Sequence, residues 1–256
     1  MGKSLTEFNV LSFDCYGTLI DWETGIWDAL QPLLARNRGG VSRAQALAGF
    51  GALEDRIERE SPTLPYPQVL AAVHSALAQE HGLRTTPALD RAFGRSVGGW
   101  PAFADTAEAL RCLQGRYRLA ILSNVDRRSF AASNRKLGVR FDAIYTAEDI
   151  GSYKPAAANF EYLILKVGED LGCGRDDLLH VAQSLYHDHV PARAHGLANA
   201  WIDRKQLSRG GAWGATASAT ASVAASVVEQ PPVDFQFTSM AALAAAAQAA
   251  FVAAAQ

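Results

Sequence analysis

Short β-branched and leucine-rich runs alternate with longer helical stretches along the chain, the pattern of a parallel sheet covered by helices. Five runs read as strands: Phe8 to Phe13, Leu119 to Leu122, Phe141 to Thr146, Leu178 to Ala182 and Ala198 to Ile202. A sixth, Val233 to Phe237, reads as a late strand. The first run stops at Asp14, the second at Ser123, and the third precedes the loop carrying Lys154. The fourth precedes Ser184 and Asp188, and the fifth ends in Asp203 and Arg204. Ligands of open parallel sheets bind beyond the carboxyl ends of the strands. These polar residues would therefore converge on one crevice.

Between the first two strands lie roughly 100 residues, far more than one crossover helix requires. Helical patterns run over Thr24 to Asn37, Ser42 to Glu60, Pro67 to His81 and Pro87 to Val97, and Pro62, Pro65 and Pro67 break the middle. Trp100 and Pro101 mark the return, with a helix expected over Asp105 to Gln114. The expected architecture is α/β: a Rossmann-like parallel sheet core of residues 1–21 and 100–256, with a helical cap domain of residues 22–99 inserted after the first strand. Ser208 to Ser226 is rich in Gly, Ala, Ser and Thr and reads as a flexible surface segment. Met240 to Ala255 reads as a closing helix whose large apolar anchors are Leu243, Phe251 and Val252.

Charge narrows the partners. The 24 basic and 26 acidic side chains give a net charge of -2, so no general pull toward nucleic acid or an anionic membrane is expected. Cys15, Cys112 and Cys173 are too few and too scattered for a disulfide framework or a CxxC metal site, which makes a reduced, cytoplasmic setting the expectation. The opening residues lack the pattern of a signal peptide, and no window approaches the ~20 apolar residues of a membrane span.

Four motifs follow in order: Asp14-Cys15-Tyr16-Gly17-Thr18, Ser123-Asn124, Lys154-Pro155, and Gln183-Ser184 with Asp188 beyond. With their neighbours they read DCYGTLIDW, LAILSN, SYKP and HVAQSLYHD, and all four follow expected strands. In this order they resemble the haloacid dehalogenase superfamily, and the DxYGT form resembles its type II L-2-haloacid dehalogenase branch. The resemblance spans about Phe8 to Asp203. It implies a hydrolase of small 2-haloalkanoic acids working through an aspartyl ester, without metal or other cofactor, and a homodimer.

The residues support such chemistry in their own right. Asp14, in a turn with Gly17 and Thr18, is a carboxylate able to attack an electrophilic centre and become an ester. Ser123 and Asn124 offer short donors where a substrate anion would sit. Lys154 supplies a positive charge near Asp14 and Asp188; two like charges ~4 Å apart repel by ~4 kcal/mol at an effective dielectric of ~20. Backbone amides near Cys15 and Tyr16 would help hold a substrate carboxylate, and the Cys15 side chain itself reads as buried filler. Trp22, Ser184 and His187 complete the expected substrate contacts. The other five histidines show no metal-ligand spacing and read as structural.

Departures from the phosphatases of the superfamily are as informative. Those enzymes resemble one another in carrying a second Asp two residues after the nucleophile, as general acid. Tyr16 stands there, and a phenol of pKa ~10 is a poor donor near neutral pH. Their acidic magnesium ligand corresponds to Gln183, and an amide is a weak ligand for that ion. Phosphoryl transfer is thus disfavoured. Departures from the dehalogenases also occur. The cap arginine expected near the leaving halide falls near Gly49-Phe50, with Arg56 and Arg59 nearest, and a tyrosine after the lysine motif is replaced by Phe160. Hydrolytic ring opening of L-azetidine-2-carboxylate, with a protonated ring nitrogen as leaving group, is the alternative expectation. Trp22 would face that ammonium, and His187 would handle protons. A non-catalytic binding protein is a further alternative, opposed by the presence of Asp14, Lys154 and Asp188, since buried charges without a role are costly.

Overall fold

A computed structural model describes residues 2–37, 40–206 and 232–256. Six parallel strands form one sheet in the order β3-β2-β1-β4-β5-β6: β1 Val10–Phe13, β2 Arg118–Ser123, β3 Ala143–Thr146, β4 Leu178–Ala182, β5 Ala198–Ile202 and β6 Phe235–Phe237. All four residues of β1 are buried, as expected for a parallel sheet covered on both faces. Successive side chains face opposite sides. Leu11, Phe13, Leu119, Ile121, Leu179 and Val181 join one apolar core, and Val10, Ala120, Leu122 and Leu178 join the other. The chain runs outward from β1 in both directions, to β2 and to β4. Such a reversal opens a crevice at the carboxyl ends of the central strands.

Helices α1 Trp22–Arg36, α2 Arg43–Glu60, α3 Tyr66–Glu80 and α4 Pro87–Gly94 follow β1 and pack on one another as an inserted helical cap. The chain leaves and re-enters side by side. Asp21 N donates to Pro101 O at 2.8 Å, Phe103 N donates to Leu19 O at 3.1 Å, and Ile20 bridges Ala102. Gly25 lets α1 lie against the returning Trp100, because a Cβ there would fall 2.2 Å from the indole. Helix α1 begins at Trp22, two residues before the patterned stretch, since the Asp21 side chain accepts from Thr24 N and caps it. The fourth cap helix ends at Gly94 instead of Val97, and Ser96–Gly99 forms a separate 3-10 turn.

The remaining helices are α5 Thr106–Gln114, α6 Arg127–Leu137, α7 Ala147–Ile150, α8 Ala157–Leu171, α9 Val190–Ala194 and α10 Met240–Ala254. Strands β1, β3 and β6 are shorter than their apolar runs. Before β1, Leu5–Glu7 coils into a 3-10 turn with a capping box on Ser4. Helix α10 packs against α5 through Met240, Leu243, Ala244 and Ala247. Of its three expected anchors only Leu243 is buried. Phe251 is half-buried against Tyr117, and Val252 is 52% exposed, because the small alanines make the close contact. The Ser208 to Ser226 segment lies outside the described residues. No helix among those described is long and apolar enough to cross a membrane.

Candidate active site

The turn after β1 presents Asp14 and is tied to the ends of β4 and β5. Asp14 N donates to Val181 O at 3.0 Å, and Thr18 Oγ1 donates to Asp14 Oδ2 at 2.7 Å. Thr18 Oγ1 in turn accepts from Gln183 N at 2.9 Å, and Arg204 donates from Nε and Nη2 to Thr18 O at 2.9 and 2.7 Å. Gly17 makes the turn possible. Its φ of +98° disfavours any L side chain, and a Cβ would sit 3.1 Å from Gln183 Oε1 and 3.3 Å from Trp22 Nε1.

Lys154, 2% exposed, joins the two carboxylates. Its Nζ donates to Asp14 Oδ1 at 2.9 Å, to Asp188 Oδ1 at 2.7 Å and to Leu122 O at 3.1 Å, which uses all three protons. Asn124, just beyond β2, fixes the lysine loop: its Oδ1 accepts from Lys154 N at 2.7 Å and its Nδ2 donates to Lys154 O at 3.0 Å. Asp188 arrives from a single π-helical turn, Leu185–His189, in which Ser184 Oγ accepts from His187 N at 3.0 Å. The side chain of Asp188 does not cap the following helix α9; it turns inward to Lys154.

His180 on β4 supplies a second contact to Asp188. Its Nε2 lies 3.0 Å from Asp188 Oδ1, and its Nδ1 lies 2.9 Å from Ser12 Oγ, its register partner on β1. An Nε2–H donating to Asp188, with the Ser12 hydroxyl donating to Nδ1, satisfies both ring nitrogens and the hydroxyl. Asp188 Oδ2 has no hydrogen-bond partner. His180 therefore belongs to the site, whereas its lack of metal spacing in the sequence suggested a purely structural role. Only the strand register places it one contact from Asp188.

Electrostatics separate the two aspartates. Burial pushes the Asp14 carboxyl above its ordinary value, opposed by Lys154 and the Thr18 hydrogen bond. Burial acts on Asp188 as well, but Lys154 and His180 outweigh it and hold that carboxyl well below the usual range. Burial alone would lower the Lys154 ammonium; its two carboxylate neighbours raise it instead. The site thus stores one ammonium against two carboxylates, with Asp188 the more firmly ionised. His187, half-buried, is brought down to about 4 by burial and is a neutral imidazole near pH 7.

A cavity of about 760 Å³ opens between the sheet and the cap. Asp14, Tyr16, Trp22, Asn124, Lys154, Ser184, His187 and Asp188 all line it, so eight of the expected residues meet at one place. Three do not reach its wall. Cys15 is fully buried, its thiol pushed well above its ordinary value by burial and by Asp14, and it offers no side chain to a ligand. Thr18 works behind Asp14, and Ser123 is buried with its hydroxyl unpartnered. Tyr16 aims its phenol away, 2.9 Å from Ser133 Oγ on α6, and burial raises it well above the usual phenol value. It is not a proton donor to the cavity. Phe160 packs edge-on against His180 at 5.5 Å and is buried.

The cap wall differs from expectation. Neither Arg56 nor Arg59 lines the cavity, and Arg59 pairs with Asp55 at 2.9 Å. Glu54 and Glu58, one helical turn apart on α2, line it instead. Glu58, 6% exposed, accepts from Asn124 Nδ2 at 3.2 Å, and Glu54 accepts from Tyr66 OH at 2.7 Å. Burial raises Glu54 to about 7 and Glu58 well above its ordinary value. Sequence reasoning missed both. The available clue was acidic residues repeating at helical spacing in a stretch read as cap.

The donor set does not fit the magnesium of phosphatases with this sheet. Both oxygens of Asp14 are engaged, by Lys154 and Thr18, and Asp188 Oδ1 is shared by Lys154 and His180. The remaining position is an amide, Gln183, where magnesium favours carboxylate oxygen. Among the described residues no group of three or more His, Cys, Asp or Glu is arranged to hold a metal ion.

No curated protein matches the sequence. Among solved structures, the defluorinating L-2-haloacid dehalogenase Rha0230 is 18% identical with a TM-score of 0.75, over 97% of this chain and 100% of that one. The L-2-haloacid dehalogenase from Xanthobacter autotrophicus with chloropropionic acid covalently bound is 18% identical with a TM-score of 0.71, over 94% and 98%. The HAD-hydrolase YfnB from Bacillus subtilis, bound to magnesium, is 20% identical with a TM-score of 0.66, over 78% and 90%. These likenesses show a shared fold. The family model of haloacid dehalogenase-like hydrolases matches residues 8–179, more than half of the chain, and the chain therefore belongs to that family.

Proposed function

We propose that this hydrolase displaces a leaving group from C2 of a small 2-substituted carboxylic acid through an ester on Asp14, in the manner of an (S)-2-haloacid dehalogenase. The observation that carries the reading is the buried trio in which Lys154 Nζ bridges Asp14 Oδ1 and Asp188 Oδ1 at 2.9 and 2.7 Å. A carboxylate oxygen of Asp14 attacks C2, the carbon–halogen bond breaks with both its electrons, and halide departs with inversion at carbon. Water then attacks the ester carbonyl carbon of Asp14 while the unpartnered Oδ2 of Asp188 takes its proton. As the tetrahedral adduct collapses, the bond from the Asp14 carbonyl carbon to the substrate oxygen breaks. That oxygen takes the proton held by Asp188 to give the 2-hydroxy acid, and Asp14 loses its remaining proton to water and returns as a carboxylate. Lys154 stabilises the carboxylates at either end of the cycle, and the cap excludes water during displacement.

Halide needs no proton on departure, which suits a site where Tyr16 points away from the cavity. The chloropropionic acid held covalently in the similar Xanthobacter structure supports a covalent route. Ring opening of azetidine-2-carboxylate by the same attack is a second reading, favoured by the aromatic wall of Trp22 and Phe50, whose ring centroids lie 5.7 Å apart.

The test is one turnover of 2-chloropropionate in ¹⁸O water with excess enzyme, followed by mass analysis of the peptide containing Asp14. Heavy oxygen in Asp14 is expected. Heavy oxygen confined to lactate would mean that water attacks carbon directly. Asp14→Asn is expected to lose at least ~10³-fold in kcat.

A further inference from the structure

The cavity beside Asp14 is much larger than a short haloacid requires. Its volume of about 760 Å³ falls within the ~300–1,000 Å³ of pockets that enclose drug-sized ligands. The six heavy atoms of 2-chloropropionate, at no more than ~30 Å³ each, would fill under about a quarter of it. A raised cap does not account for the space. Glu58 of α2 accepts from Asn124 Nδ2 at 3.2 Å and Leu64 O accepts from Tyr153 OH at 2.5 Å, while Glu23 of α1 pairs with Lys205. The cap is thus fastened to the sheet domain beyond β2 and beyond β5, on either side of β1. A short substrate would leave room for water around C2 and the Asp14 ester, against the exclusion that displacement favours.

The wall shows what would fill the remainder. Leu47, Phe50, Glu54 and Glu58 recur at intervals of three and four residues, so one stripe of α2 faces the cavity. Its first half is apolar. The indole of Trp22 stands beside the turn that carries Asp14, with Nε1 3.3 Å from a Cβ placed on Gly17, and the Trp22 and Phe50 ring centroids lie 5.7 Å apart. Phe93 backs the buried Phe50 at 6.3 Å, which fixes this ring wall in place. In the second half of the stripe, burial favours the proton-bearing, neutral form of Glu54 and Glu58, so that end calls for no cation. Of the wall cations besides Lys154, Arg204 and Lys205 are paired with Asp105 and Glu23, and Arg43 donates to Thr24 Oγ1 at 3.1 Å.

We infer that the physiological substrate is a 2-substituted carboxylic acid whose side chain is apolar and at least of phenyl size, seated against Trp22, Leu47 and Phe50. This rests on the Asp14 reading above and adds the size and polarity of the side chain to it. An aromatic ring meets the ring wall in offset or edge-on contact. It also displaces water from apolar surface that a methyl group would leave wet.

Matched ligands without a leaving group separate this inference from the catalytic one. The unmodified protein is titrated calorimetrically with 3-phenylpropionate and with propionate, which differ by the ring. The phenyl acid is expected to bind at least ~10-fold tighter. Leu47→Trp and, at an exposed position of the same wall, Ala48→Trp fill the space and are expected to reduce that preference while propionate still binds. Halide release from 2-chloro-3-phenylpropionate is expected to exceed that from 2-chloropropionate by at least ~10-fold in kcat/KM. Equal affinities in the unmodified protein, a preference that neither tryptophan variant reduces, or a kcat/KM in favour of 2-chloropropionate would overturn the inference. Should the phenyl acid bind as expected while no ester forms on Asp14 with either haloacid, the displacement reading falls and the apolar pocket stands.

Discussion

His180 Nε2 and Asp188 Oδ1 lie 3.0 Å apart, on the same carboxylate oxygen that Lys154 holds at 2.7 Å. Both donors therefore crowd one oxygen and leave Oδ2 without a hydrogen-bond partner, the oxygen that takes the water proton in the proposed mechanism. His180→Gln is expected to slow breakdown of the Asp14 ester by about 10- to 100-fold, the scale on which partners that orient a reacting ligand act. Ester formation should change far less. Intact-protein mass spectrometry under turnover should then show a substrate adduct that the unaltered enzyme does not accumulate, and an unchanged adduct level would remove His180 from the hydrolytic step.

Lys154 is the sole protein cation contacting both Asp14 and Asp188, among the described residues. Lys154→Met keeps the length of the side chain and removes the charge. Breaking a buried pair in this way costs about 3–5 kcal/mol, and activity should be lost. Urea unfolding measures the cost. Adding Asp188→Asn should recover part of the stability without recovering turnover, because only one carboxylate of the trio then remains buried.

Glu54 predicts a pH dependence of the free protein. Its ordinary value of 4.5 is raised to about 7 in the fold by burial, with Asp55 reinforcing and Tyr66 opposing. Asp55 and Glu58 on α2, Tyr66 on α3, and Asp14, Lys154 and His187 across the cavity are the titratable groups around it. Between these two pH values the unfolded chain has released a proton that the folded chain retains, so this contribution to stability falls as pH rises. It is complete below 4.5 and lost above about 7. Glu54→Gln should flatten the slope of unfolding free energy against pH over that window; an unchanged slope would refute the assignment.

Gly17→Ala places a Cβ 3.1 Å from Gln183 Oε1 at a φ of +98°. Thermal unfolding should show a loss of about 1–3 kcal/mol, the cost of a residue held in a sparsely populated backbone region. Turnover should fall as well, because the same turn aims Asp14 and Thr18.

Much of the architecture was legible along the chain. Apolar runs of four to six residues, each ending in a polar side chain, sufficed to locate the strands and the crevice, since strand burial and the carboxyl-end rule act locally. Asp14, Asn124, Lys154 and Asp188 could be named because each lies in the segment that follows a strand end, Asp14 and Asn124 directly after it. The contributions of Glu54, Glu58 and His180 were not legible in the same way. Glu54 and Glu58 carry no strand-end signature, and what matters is which face of α2 meets the cavity. His180 lies inside an apolar strand, where a histidine reads as core.

By itself the sequence determined the α/β sheet, the helical insertion after β1 and the order of the four motifs, because hydrophobic periodicity and turn chemistry are properties of neighbours in the chain. Tertiary structure decided the rest. It set Lys154 within 3 Å of two carboxylates that lie 140 and 34 residues away, and it turned Tyr16 toward Ser133 instead of the cavity. It also placed two cap carboxyls, Glu54 and Glu58, in the wall of the same cavity. Charge balance in a buried cavity depends on distances across the fold, and those distances are not written in any local pattern.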